Sequence, residues 1–112
     1  MGGWSFQRTL AKVNYRIHTD AIQEHLIPPA LTKAQIQAVY ASEGDLLNAA
    51  LFGKTAADWR KENPKLEGNM RDHATLEQLV VLSNLESLNS VLIHQGLPAS
   101  ERLRQLNSIA IV

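Results

Sequence analysis

Phe6, Leu10, Val13, Ile17 and Ala21 recur every three or four residues and form one apolar stripe, which predicts a first helix from about Trp4 to His25. Ile27-Pro28-Pro29 ends it, because proline removes a backbone donor and disfavours helical geometry in the residue before it. Three later starts carry capping-box spacing, in which a threonine hydroxyl and a side chain three residues on satisfy free amide groups reciprocally. They are Thr32 with Gln35, Thr55 with the weaker partner Asp58, and Thr75 with Gln78. The helix from Thr32 meets Ser42-Glu43-Gly44-Asp45, where glycine costs about 1 kcal/mol relative to alanine and predicts a break into two pieces. Gly53 reads as a left-handed terminator, and a short helix carrying Trp59 and Arg60 ends near Asn63-Pro64.

From Asn63 to Ala74 the periodicity lapses and Pro64, Gly68, Asn69 and Asp72 collect, so this stretch reads as a long loop and as the one segment with room for a site. The next helix, about Thr75 to His94, is apolar nearly all round. Val81, Leu85, Leu88 and Leu92 share one face, with Leu79, Val80, Leu82, Val91 and Ile93 beside it. Ser83, Ser87, Ser90 and His94 form the opposite stripe; small uncharged side chains there permit close approach of another helix, within the domain or between chains. Gly96 closes this helix, Pro98 suits the first turn of the next, and Leu103, Leu106, Ile109 and Ala110 give the last helix a buried face. The expected fold is therefore all-α: a single small domain of about five to six helices, an irregular, orthogonally packed bundle around a central helix over 75–94.

With 112 residues, 45% of them apolar and only 5% aromatic, one modest core of Leu, Ile, Val and Ala is expected. Eleven basic residues balance eleven acidic ones, so no long-range field holds a polyanion or an anionic membrane. Cysteine is absent, which excludes disulfides, thiolate chemistry and cysteine-based metal sites and fits a cytoplasmic location. No apolar run approaches the roughly 20 residues that span a bilayer, and the amino terminus lacks the basic and apolar regions of a secretory signal. Met1-Gly2-Gly3 reads as residues appended to a fragment of something longer, and the uncapped Ile109-Ala110-Ile111-Val112 as a truncated end.

Candidate chemistry is sparse. Gly53-Lys54-Thr55 ends like a phosphate-binding loop, but the motif's first glycine would fall at Asn48 and its strand is missing, so helix terminator and cap is the better reading. His18 and His25 share a helix side with Asp20 and Glu24 nearby, yet zinc pairs favour spacings of three or four and no third ligand is evident, so no metal or cofactor is expected. In and beside the loop, Trp59, Arg60, Asn69, Arg71, Asp72 and His73 are the candidate site residues; for Asp72 and His73, with Arg71 and Glu77 close in sequence, loop-anchoring contacts are the plain reading, Trp59 more simply plugs the core at the loop base, and a concave pocket at His73 is what an enzymatic alternative requires. Arg8, Lys12 and Arg16 recur every four residues opposite the apolar stripe, a basic edge that either is solvated or meets phosphates.

The runs NYRIHTDAIQEHLIPP, YASEGDLLNAALFGKTAADWRKENP, GNMRDHATLEQLVVLSNLESLNSVLI and ERLRQLNSIAI resemble the region that follows the KilA-N domain in bacterial and phage-type KilA-N proteins, over nearly all of the chain from about Leu10 to Ile111. Ala57-Asp58-Trp59-Arg60, Gly68-Asn69-Met70-Arg71-Asp72 and Asn84-Leu85-Glu86 match in order, whereas Gly44 stands where that pattern has alanine. The resemblance implies part of a DNA-binding protein whose DNA-binding module, the amino-terminal KilA-N domain, lies outside this sequence. The expected function is then a non-catalytic accessory or oligomerising domain, partnered by further copies of itself, with no small-molecule substrate. The alternative is direct nucleic-acid binding through Arg8, Lys12 and Arg16, helped by Arg60, Lys61 and Arg71.

Overall fold

The computed structural model describes the backbone of residues 2–111 and the side chains of residues 6–110, so expectations resting on the side chains of Trp4 and Ile111, or on Met1 and Val112, lie outside it. Five α-helices and one 3₁₀ turn account for the regular structure, and no strand occurs among the described residues: α1 Gly2–Leu26, α2 Lys33–Phe52, α3 Ala56–Glu62, the 3₁₀ turn Met70–His73, α4 Leu76–His94 and α5 Ala99–Ile111. The all-helical expectation holds. Thr32 and Thr75 form the reciprocal caps their sequences specify, while Thr55 accepts from the Asp58 amide without the return bond. Gly53 and Gly96 take left-handed φ of 75° and 76° at the ends of α2 and α4. Pro98 sits one residue earlier than expected, immediately before α5, where its carbonyl accepts the Arg102 amide.

Two expectations fail. Gly44 does not divide its helix: α2 runs unbroken through it, because Glu43, Leu46, Leu47 and Ala50 bury one continuous face that offsets a single glycine's cost. Nor is the apolar stripe of α1 the face that packs. Phe6, Leu10, Val13 and Ile17 are exposed, and of that stripe only Ala21 enters the core; α1 instead turns Asn14, His18, Ala21 and Ile22 inward. Ile109, on the face of the last helix expected to be buried, is likewise exposed, as is Leu88 of α4.

The core has two lobes. Leu46, Leu47 and Ala50 of α2, Leu82 and Leu85 of α4 and Leu106 of α5 form the larger; Ala21 and Ile22 of α1 with Ile93 of α4, flanked by Leu26, Ile27, Val39 and Tyr40, form the smaller. Helix α4 is central, as its composition predicts, touching α1, α2 and α5. Asn14 donates to Ser83 at 2.9 Å, His18 meets Asn89 at 2.8 Å and the His25 ring lies edge-on to His94 with centroids 4.3 Å apart. Those pairs advance together along both helices, so α1 and α4 run parallel. The serine stripe is the contact surface between them: Ser83 and Ser90 are buried, with small side chains that let the helices approach.

Candidate functional site

Between the two lobes lies a group of polar side chains that a core of this size rarely contains. His18, Glu43, Glu86, Asn89 and Arg102 are all at least nine-tenths buried, and they come from α1, α2, α4 and α5. Arg102 meets Glu43 with two nitrogens, Nη1 on Oε1 and Nη2 on Oε2 at 3.1 Å, the bidentate geometry in which a guanidinium and a carboxylate best compensate lost hydration. Nη1 also donates to Asn89 Oδ1 at 3.0 Å, which fixes the orientation of that amide. Asn89 Nδ2 then donates its two hydrogens to Glu43 Oε1 at 3.0 Å and His18 Nε2 at 2.8 Å.

This wiring decides the state of His18. With Nε2 accepting from Asn89, the ring is neutral and carries its proton on Nδ1. Burial, against the opposing pull of Glu43 and with help from Arg102 and Arg71, lowers its pKa to about 4. Nδ1 points toward Glu86 Oε2, 3.9 Å away, too far for a hydrogen bond. Burial in turn raises Glu86 to about 7, with Arg71 pulling the other way. Between pH 4 and 7 the two face each other uncharged.

Beside Glu86 the cluster opens into a pocket of about 190 Å³, walled by Tyr15, His18 and Thr19 of α1, Tyr40 of α2, Glu86 of α4 and Arg71 of the 3₁₀ turn, with Ile22, Gly44 and Leu47 completing it. Arg71 is held there by its Nε donating to Asn48 Oδ1 at 3.1 Å. A second pocket of about 180 Å³, almost wholly apolar, opens between the first halves of α1 and α4, where Leu10, Ala11, Leu76, Leu79 and Val80 face one another.

The loop candidates divide. Arg60 donates to the carbonyls of Asn63 at 3.1 Å, Leu66 at 2.6 Å and Gly68, and stacks 4.8 Å from the Trp59 ring. Asn69 and Asp72 cap the 3₁₀ turn reciprocally, and His73 donates from Nε2 to the Glu67 carbonyl at 2.8 Å while its ring lies 5.3 Å from Trp59. These five hold the loop in shape, whereas Arg71 alone reaches the polar pocket. A concave pocket of about 190 Å³ does exist at His73, with Phe52, Lys54, Trp59, Met70, Ala74 and Gln78; its two titratable groups are engaged elsewhere, Lys54 Nζ with Glu62 at 2.6 Å and His73 Nε2 with the Glu67 carbonyl. Arg8, Lys12 and Arg16 are all exposed on α1, and the His94 ring packs on His25. Among the described residues no group of three or more His, Cys, Asp or Glu is placed to hold a metal ion, and no helix is long and apolar enough to cross a membrane.

Sequence reasoning missed Glu43, Glu86, Asn89 and Arg102. A signal was present: Leu82, Glu86, Asn89 and Ile93 follow at spacings of four, three and four, so two polar residues occupy core positions of the most apolar helix. No family model, curated protein or solved structure matches the chain.

Proposed function

We propose that this chain is a non-catalytic helical accessory domain that associates with a second copy of itself, within a KilA-N-type DNA-binding protein whose DNA-contacting module lies elsewhere. The observation that carries the self-association is the apolar face left open along the parallel α1/α4 pair. Successive helical residues turn by about 100°. From the Asn14–Ser83 contact, Tyr15, Thr19 and Ile22 of α1 and Glu86 and Asn89 of α4 therefore rotate toward α2, while Leu10, Val13 and Ile17 and Val80, Asn84 and Val91 rotate to the opposite side. Phe6 is 63% exposed, Val13 48% and Val91 50%, so that side presents one apolar surface with the Leu10–Val80 groove within it.

Contiguous exposed apolar surface of this kind marks an interaction site, and the chain's zero net charge puts no overall repulsion between two copies. The assignment to a DNA-binding parent rests on the sequence resemblance alone. The test is the mass in solution by light scattering after size exclusion, for the wild type and for Val13→Glu with Val80→Glu. A wild-type dimer that the double variant converts to a folded monomer supports the reading. A protein monomeric at all concentrations, or a dimer indifferent to those charges, removes it.

A further inference from the structure

The polar pocket has its own unanswered chemistry. Glu86 is buried to 7% exposure, and among the described residues neither of its oxygens has a hydrogen-bond partner; His18 Nδ1 lies 3.9 Å from Oε2. Both oxygens keep some solvent access, and a carboxylate so far withdrawn from water is ordinarily compensated by hydrogen bonds or a paired cation. Arg71 stands across the pocket with only Nε committed, leaving both Nη groups without a protein partner among the described residues. His18, on the same wall, carries its proton on Nδ1 toward Glu86. Above about pH 7, where Glu86 is ionised, the wall carries one anion without a hydrogen-bond partner and one cation with free donors, backed by Ile22, Leu47, Tyr15 and Tyr40.

A simple anion would meet Arg71 but face Glu86, and a simple cation would meet Glu86 but face Arg71. A ligand with both charges on a small frame satisfies both groups. We propose that this pocket binds a free apolar α-amino acid, its ammonium on Glu86, its carboxylate on Arg71 and its side chain between Ile22, Leu47 and the tyrosines. At about 190 Å³ the pocket has room for such a molecule, a single water occupying roughly 30 Å³. The fold also keeps the wall clear: Gly44, in mid-helix, lines the pocket, and a Cβ built there meets no atom within 4 Å. The site lies on the α2 side of the α1/α4 seam, away from the apolar face, so its occupancy and the chain's self-association are separate questions.

The charged and titratable groups around Glu86 are His18 and Tyr15 of α1, Tyr40 and Glu43 of α2, Arg71 of the 3₁₀ turn and Arg102 of α5; Glu43 and Arg102 neutralise each other. Ammonium binding needs Glu86 ionised, so affinity rises with pH through about 7. A pure anion ligand would show the reverse.

The experiment is an NMR titration of the backbone amides with L-leucine, and separately with 3-methylbutylamine and 4-methylpentanoate, which carry one charge each. The expected result is saturable shifts around Tyr15, Gly44 and Glu86 with L-leucine, at least about tenfold weaker binding of either half-ligand, and roughly tenfold tighter binding at pH 8 than at pH 6. Glu86→Gln and Arg71→Gln should each weaken binding at least about tenfold while leaving the remaining amide spectrum folded. Gly44→Leu, which fills the pocket from α2, should abolish it. The proposal is overturned if L-leucine, L-valine and L-phenylalanine all give no saturable shift up to about 10 mM. Equal binding of 4-methylpentanoate, or binding unchanged in Glu86→Gln, overturns it as well.

Discussion

Glu86→Gln should change how stability depends on pH far more than it changes stability itself. In the folded chain burial lowers His18 from 6.5 to about 4, so the unfolded state binds more protons between those values, and stability falls as pH drops from 6.5 to 4. Burial raises Glu86 from 4.5 to about 7, so over that range the folded state holds the extra proton; its contribution is full below 4.5 and is lost as pH rises to 7. Each shift, at about 1.4 kcal/mol per unit, amounts to about 3 kcal/mol. The two oppose each other across nearly the same window, and in the wild type they largely cancel. Replacing Glu86 by the isosteric amide removes one and exposes the other: relative to wild type, Glu86→Gln should lose about 3 kcal/mol between pH 7 and pH 4. Urea unfolding followed by circular dichroism at half-unit pH steps reads this directly, since a urea slope of about 2 kcal/mol/M turns it into a midpoint displacement of about 1.5 M. Other carboxylates contribute equally to both proteins and drop out of the difference. Parallel wild-type and Glu86→Gln profiles would refute the neutral His18–Glu86 pairing.

Three further outcomes follow from the same packing. Arg102→Met leaves Glu43 as an uncompensated buried carboxylate and should cost about 3–5 kcal/mol by chemical denaturation, with Glu43→Leu added to it recovering part of the loss. Gly44→Ala should raise stability by about 1 kcal/mol, because it removes a helix-interior glycine where the added methyl meets nothing within 4 Å. Thr75→Ala removes the hydroxyl that accepts from the Gln78 amide at 3.1 Å and should lower the thermal midpoint by an amount corresponding to about 1 kcal/mol.

Local chemistry was legible in the sequence where backbone rules govern it. The three threonine caps, the left-handed Gly53 and Gly96 and the central place of the Thr75 helix all follow from propensities that act within a few residues. What could not be read was which of two competing faces a helix buries. On α1 the apolar count favours Phe6, Leu10, Val13 and Ile17, but the buried face is set by α4, where Ser83 accepts from Asn14 and Asn89 donates to His18. The candidate site was hidden for the same reason: Glu43, Asn89 and Arg102 satisfy one another across sequence separations of 13 to 59 residues, and no residue of the three reveals the others locally. In the loop, Asp72 and His73 make local anchoring contacts, whereas the 3₁₀ turn directs Arg71 into the polar pocket.

Sedimentation equilibrium of the chain, alone and with a nonspecific DNA duplex at low and physiological salt, tests the accessory-domain account most directly. The account predicts a dimer whose mass is unaffected by duplex at either salt. A monomer that binds duplex at low salt and releases it at physiological salt, and that loses this binding when Arg8, Lys12 and Arg16 become alanine, would contradict it and make the exposed basic edge of α1 the functional surface.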